Sequence, residues 1–194
     1  PHKGVSYCRR ACCMYSAKHA HQYLDKVKDG RCFVVYMDVR CAGKGYDEFY
    51  MNTLHDGAVY VRGRVSKIYP ENGKLVCMGE DTLSGQVVRV DADMVVLETA
   101  MVPNEGAGQI AGVLNAQRGP EGFFTEAHPK LRPVETNTAG VYLAGVAQGP
   151  KDIPDTVAQA GAAASKVIGL LARGQIESNP MIVRGDNAKC SGCG

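Results

Sequence analysis

The stretch Val141-Tyr-Leu-Ala-Gly-Val-Ala-Gln-Gly-Pro-Lys-Asp-Ile-Pro154 decides the fold. Residues 141–144 read as a short strand, residues 145–153 as a tight loop punctuated by glycine and proline, and residues 154–172 as an alanine-rich helix that Gly174 ends. Strand, glycine-rich loop and helix in that order form an α/β unit of the kind that cradles a cofactor. Pro154 suits a first helical turn, and the reading predicts unpaired N–H groups at Thr156, Val157 and their neighbours. Such donors can hold an anionic or electron-rich group. For a flavin that group is the N1–C2=O edge, where reduction places negative charge that a helix dipole stabilises. By spacing alone the turn serves equally well as an ordinary β-to-α connection. Val157, Ala160, Ala164, Ile168 and Leu171 fall on one helical stripe and are expected to pack.

Upstream the order of elements agrees with an α/β class. Cys13, Ala17, Ala20, Leu24 and Val27 recur at helical spacing, which predicts an amphipathic helix over 10–27 closed by Gly30. Residues 32–38 read as a strand and 46–54 as a second helix. Residues 59–68, 74–78 and 86–90 are rich in Val, Ile and Tyr and are separated by Asn72-Gly73 and Ser84-Gly85, so they predict a small antiparallel meander. Residues 93–99 form a continuous apolar run, the pattern of a strand buried on both faces of a parallel sheet. After Pro103 come a short helix around 109–114 and a crossing between domains over 118–133. Gly106-Ala-Gly-Gln-Ile-Ala111 matches the dinucleotide fingerprint, but the strand before it ends too early and no parallel strand with an acidic end follows, so it is read as a loop. His128-Pro129 is read as an extended surface segment.

With 194 residues, 45% of them hydrophobic and 22% charged, the chain has the composition of a folded globular protein rather than a disordered or fibrous one. A net charge of +2, with Lys and Arg scattered, argues against a dedicated nucleic-acid or anionic-membrane surface. No apolar run approaches the roughly 18–20 residues that span a bilayer, and no leader is visible. A cytoplasmic protein is expected.

The eight cysteines are the anomaly. Cys8, Cys12 and Cys13 crowd the start of the first helix, where exposed N–H groups and the helix dipole favour thiolates. A group of three suits an iron–sulfur cluster, whose fourth thiolate must then come from elsewhere, with Cys32, Cys41, Cys77 or a residue before Pro1 as candidates. Zinc is a weaker reading, because His19 and His21 lie two apart on a helix and point to different sides. A redox dithiol and a set of small buried hydrophobes remain open. Cys190-x-x-Cys193 opens like the bacterial ferredoxin run but holds only half of it. The chain lacks an initiating Met and stops inside that motif, so a piece of a longer protein is expected. Lys18, one turn after Met14 and off the apolar stripe, reads by itself as a solvated residue.

Five motifs occur in one order: Cys8-Arg-Arg-Ala-Cys-Cys-Met-Tyr-Ser-Ala-Lys-His-Ala20, Tyr36-Met-Asp-Val-Arg40, Gly43-Lys-Gly-Tyr-Asp-Glu-Phe-Tyr50, Glu126-Ala-His-Pro-Lys-Leu-Arg-Pro133 and Ala147-Gln-Gly-Pro-Lys-Asp-Ile-Pro-Asp-Thr156. Together they make the chain resemble the A-subunit family of heterodisulfide reductases from end to end. The resemblance implies a three-layer, thioredoxin-reductase-like FAD/NAD(P)-binding fold, present in part. Residues 1–103 would belong to the pyridine-nucleotide-like domain carrying a cluster motif. Residues 104–178 would form the second half of the FAD domain, and 179–194 a linker with the start of a ferredoxin-like domain.

The resemblance also implies roles. Cys8, Cys12 and Cys13 would bind a [4Fe-4S] cluster with an upstream cysteine, and Cys190 and Cys193 would belong to a further cluster. Lys18 would approach the flavin N5 and stabilise anionic flavin. FAD would contact Gly145, Gln148, Lys151, Asp152, Ile153, Pro154 and Thr156. Where the wider fold often has an Asp after the glycine, this chain has Val146, so Gln148, Asp152 or backbone groups would take over the ribitol contact. The implied activity is flavin-based electron bifurcation between a donor, ferredoxin and the CoM–CoB heterodisulfide. The implied partners are subunits B and C, a hydrogenase or formate dehydrogenase as donor, ferredoxin, and a second copy in a homodimer. The alternative is an FAD-dependent dithiol reductase of the thioredoxin reductase type, with Cys8 and Cys12 as the redox pair. On either reading these 194 residues alone are expected to bind flavin weakly or not at all and to be inactive.

Overall fold

Strand β2, Val59–Glu71, serves two different partners along its length. Its first residues pair in parallel with β1, Phe33–Tyr36, from Phe33 opposite Val59 to Tyr36 opposite Arg62. From Gly63 onward it pairs antiparallel with β3, Lys74–Asp81, through a bulge between Val65 and Lys67. Gly63 is the pivot, because a Cβ there would stand 1.8 Å from the Glu80 carbonyl oxygen. β4, Gln86–Ala92, completes a four-stranded mixed sheet in the order β1-β2-β3-β4. The sequence fits this local chemistry. Asn72 and Gly73 both take positive φ, 50° and 77°, as a two-residue primed turn requires. In the β3–β4 loop the Asp81 carboxylate accepts from the Leu83 amide at 3.0 Å and the Ser84 hydroxyl at 2.7 Å.

This computed structural model describes residues 5–8, 10–175, 185–186 and 188–192. Helix α1, Cys12–Lys26, packs on α2, Tyr46–His55, which forms the crossover between the parallel strands β1 and β2. Ala17, Ala20 and Thr53 are buried there, small enough to let the helices approach. The rings of Tyr36, Tyr50 and Tyr60 pack edge to face between β1, α2 and β2, with centroids 5.7 and 5.0 Å apart. Beyond the sheet come α3, Ala107–Leu114, a 3-10 turn at Gly145–Ala147, and α4, Ile153–Leu171. The α/β class, the helix order and the antiparallel meander are as the sequence predicts.

Three expectations are corrected. Residues 93–99 form no strand, and Met94, Val96 and Leu97 are 68%, 64% and 72% exposed. An apolar run becomes a central strand only between neighbours that take its backbone groups, and none of the described strands pairs with it. The expected strand at 141–144 is reduced to one bridge, Glu135 to Tyr142, beside a Leu143 amide that donates to the Val134 carbonyl at 2.7 Å. The predicted stripe of α4 is not the packed one. Val157, Ile168 and Leu171 face outward, and Ala163 is buried, with Thr156, Gln159, Val167 and Leu170 half-buried beside it. Alanines on both sides of α4 give the sequence two candidate stripes, and the one that faces inward runs through Thr156, Gln159, Ala163, Val167 and Leu170.

Candidate functional site at the junction of the cysteine turn and helix α4

Helix α4 begins with its own side-chain cap. Asp152 is extended (φ −84°, ψ 178°), and its Oδ1 accepts from the Asp155 amide at 2.8 Å. Its carbonyl accepts from the Thr156 amide at 3.0 Å. Of the donors expected to be free at Thr156, Val157 and their neighbours, those of Thr156 and the neighbouring Asp155 are used within the chain, which narrows the expected N-terminal cradle. Asp152 Oδ2 accepts from the Tyr46 hydroxyl at 2.8 Å. Burial acts to raise the Asp152 pKa, but the Asp155 amide, the Tyr46 hydroxyl and the charge on Arg10 outweigh it and hold the carboxyl below its ordinary value. The same contact raises Tyr46. A Cβ on Gly43 would stand 2.6 Å from the Tyr46 ring, so the bare backbone of Gly43 lets that ring lie close.

The loop before α4 is built around Gln148. Its Nε2 donates to Glu126 at 2.7 Å and to the Pro133 carbonyl at 3.2 Å, while its Oε1 accepts from Lys151 at 3.0 Å and from Gln159. Burial and the nearby Arg10 lower the Lys151 pKa. Gly145 takes φ +64°, and a Cβ on it would meet Thr156 Cγ2 at 3.0 Å. Ile153 is exposed at the first helical position and Pro154 follows it.

The cysteine turn lies against this loop. Arg10 adopts φ +56°, which is uncommon for a residue with a side chain, and its amide donates to Cys8 Sγ at 3.3 Å. Its guanidinium pairs with Asp155 in the first turn of α4. Arg10, Pro150, Lys151, Asp155 and Gln159 line a cavity of about 310 Å³ between the two segments. With both partners partly exposed, the pair contributes roughly 0–1 kcal/mol to stability, so its geometry matters more than its energy.

Cys12 and Cys13 open α1, where no side chain caps the first turn. The Cys13 thiol is lowered to about 6, chiefly by its hydrogen bond with Cys12 and also by the Arg40 amide, against the effects of burial and Asp38. Cys8 reaches the guanidinium of the same Arg40. Arg40 thus receives Cys13 on its backbone and Cys8 on its side chain. Burial raises the thiols of Cys32 and Cys41, with Cys41 near enough to feel Cys13 electrostatically. Among the described residues no three His, Cys, Asp or Glu side chains are gathered closely enough to hold a metal ion. Thiolate character and N–H donors near the sulfurs fit an iron–sulfur ligand set, although the three thiols are not closed on one point. Lys18 is exposed on α1. Cys190 is exposed, and Cys193 lies outside the described residues.

Arg10, Tyr46 and Asp155 are the residues that the sequence reading missed. Asp152-x-x-Asp155 ahead of an apolar run is a cap signal that could have drawn attention to the two acids. Nothing local to Arg10 or Tyr46 points to them.

Comparison with known proteins bears on the family of the chain. No protein-family model matches the chain. The second iron–sulfur A subunit of CoB–CoM heterodisulfide reductase from Methanopyrus kandleri is 45% identical over 197 aligned positions, covering 100% of this chain and 30% of that protein. The A subunit of the H2:CoB–CoM heterodisulfide, ferredoxin reductase of Methanothermobacter marburgensis is 47% identical over 193 positions, covering 98% and 29%. The chain belongs to the A-subunit family of heterodisulfide reductases. In Archaeoglobus profundus a protein named as like the heterodisulfide reductase A subunit is 44% identical over 97% of the chain and 27% of its own length. The chain therefore spans about 30% of the length of these relatives. A thioredoxin reductase from Streptococcus pyogenes superposes on 80% of this chain and 50% of its own, at 19% identity and a TM-score of 0.37. That superposition is too loose to carry the assignment, which rests on the sequence identity to the heterodisulfide reductases. No helix among the described residues is long and apolar enough to cross a membrane.

Proposed function

We propose that the chain is an electron-relaying part of an FAD- and iron–sulfur-containing heterodisulfide reductase. The single observation that carries this reading is the thiol turn of Cys8, Cys12 and Cys13, with a lowered Cys13, lying against the capped start of α4 in a chain whose relatives are named iron–sulfur subunits. On this reading FAD and a [4Fe-4S] cluster supply the two-electron and one-electron chemistry. The chain's own residues do the holding. Cys8, Cys12 and Cys13 ligate the cluster together with a fourth thiolate, and Arg40 gives donors to two of these sulfurs. Lys18 offers positive charge towards the flavin. The loop of Gly145, Gln148, Lys151 and Asp152 with Ile153, Pro154 and Thr156 lies along one edge of the flavin. Because Asp152 already satisfies the Asp155 and Thr156 amides, that edge meets the loop and its side chains rather than a row of free amides. Cys190 and Cys193 serve a later cluster.

The whole protein, on the same reading, works in the cytoplasm. It splits electron pairs between ferredoxin and the CoM–CoB heterodisulfide, alongside subunits B and C and a second copy of itself. Its electrons come from a hydrogenase or formate dehydrogenase. The names of relatives mention H2, formate and F420H2 as donors to those proteins. The second reading is a dithiol reductase with Cys8 and Cys12 as its redox pair, in a turn where Cys8 Sγ accepts from the Arg10 amide at 3.3 Å.

Anaerobic iron and acid-labile sulfide analysis, with EPR spectra of the protein carrying this chain and of its Cys12→Ser and Cys13→Ser variants, decides between them. Loss of one cluster's iron and signal in both variants supports the relay. Unchanged iron, with a titratable dithiol in its place, would move the assignment to the second reading.

A further inference from the structure

We propose that Arg10 is a positioning residue that fixes the cysteine turn relative to the start of α4, and so fixes the cluster ligands relative to the flavin. The inference rests on the relay reading above. Arg10 is the residue of the turn that faces both ways. Its amide donates to Cys8 Sγ at 3.3 Å, and its guanidinium pairs with Asp155, which is 145 residues away in sequence. It holds φ +56°, a conformation that disfavours most side chains and that points the backbone donor at one partner while the guanidinium reaches the other.

A second strut stands beside it. Tyr46, the first residue of α2, donates to the Asp152 cap at 2.8 Å. The two acids that define the first turn of α4 are therefore each held by a residue from the amino-terminal half. Arg10 also walls the cavity of about 310 Å³ along with Lys151 and Gln159, so a shift of its side chain moves the boundary between the two segments. The pair is partly exposed, with side chains 44% and 35% accessible, so its loss is expected to leave the fold intact and to change placement.

The test uses Arg10→Gln, Asp155→Ala and the double variant in the protein carrying this chain, purified anaerobically. Iron and flavin content, the EPR line shape of the cluster and the stopped-flow rate of electron transfer between flavin and cluster are the readouts. Electron transfer between flavin and cluster slows as their separation grows, so a displaced cysteine turn lowers its rate. Each single variant is expected to keep its iron and flavin, alter the line shape and slow the transfer relative to wild type. The double variant is expected to be no slower than either, because one contact is lost in all three.

Wild-type line shape and rate in both single variants, or losses that multiply in the double, overturn the inference while leaving the relay reading in place. A wild-type protein without iron overturns both. If Arg10→Gln fails to load iron, Asp155→Ala decides, since it breaks the same contact without touching the cysteine turn. An altered line shape there supports the positioning role and an unaltered one ends it.

Discussion

Gly145 and Thr156 face each other so closely that a Cβ on the glycine would stand 3.0 Å from the Thr156 methyl carbon. The glycine also holds φ +64°, so any larger residue meets both a strained backbone and a neighbour. Gly140 separates the two effects, because it takes φ +82° with open space around its Cβ position. Gly140→Ala is expected to cost about 1–2 kcal/mol through the backbone alone. Gly145→Ala is expected to cost more, with the excess removed in Gly145→Ala/Thr156→Ser. Urea denaturation of the four proteins measures this, and equal costs at the two glycines would show that the contact with Thr156 is relieved by a small local shift.

How much of this was legible depends on the range of the interactions. Asn72-Gly73, the Val-, Ile- and Tyr-rich composition of β2 to β4 and the 3.6-residue period of α1 are set by neighbours in the chain, and each appears where the sequence places it. The run at 93–99 and the stripe of α4 show that apolar side chains favour burial but carry no record of what buries them. Arg10 and Tyr46 reach partners 145 and 106 residues away, and a single sequence holds no sign of such pairs. The cysteine turn could be read as a ligand set from residue types, yet its meeting with Arg40 and α4 could not.

Asp152 gives a prediction that depends on pH. Its folded pKa is depressed by the Asp155 amide and Tyr46 hydroxyl, which outweigh its burial, so its charge contributes stability above the unfolded value of about 3.9. That contribution is lost as pH falls through the folded pKa. Asp152→Ala removes cap and charge together and is expected to cost about 1 kcal/mol at pH 7. Asp152→Asn keeps an acceptor for the Asp155 amide and is expected to cost less. The gap in urea midpoint between wild type and Asp152→Asn should hold steady from pH 7 to about 5 and narrow below about 4. A gap that widens in acid would refute the sign.

Gly63 tests the pivot of the sheet. A Cβ there would collide with the Glu80 carbonyl oxygen at 1.8 Å, and backbone on both sides leaves no flexible side chain to yield. Gly63→Ala is expected to cost roughly 3 kcal/mol or more, since a clash with paired backbone must pull strands apart. Hydrogen exchange should show the loss at the Gly63–Asp81 end of the β2–β3 ladder before the Glu71–Lys74 end, because the primed turn holds the far end. Uniform loss along the ladder would mean that the β2–β3 pairing opens as one unit rather than from its Gly63 end.

Helix α4 presents the last question, which of its two stripes packs against the chain. Val167 and Leu170 are half-buried on the inward side with Ala163, and Leu170 helps to wall a second cavity of about 290 Å³ beside Tyr142 and Glu135. Ile168 and Leu171 are 66% and 70% exposed. For this chain, Leu170→Ala is expected to cost about 1–2 kcal/mol, less than a fully buried leucine because the site is only half closed. Ile168→Ala is expected to change stability by no more than about 0.5 kcal/mol, and alanine's better helix propensity acts in its favour. Chemical denaturation of the chain and of the two variants reads both numbers. If Ile168→Ala proved the costlier, the outward stripe would be covered in solution, and the exposed apolar run at 93–99 would be the first surface to examine for what covers it.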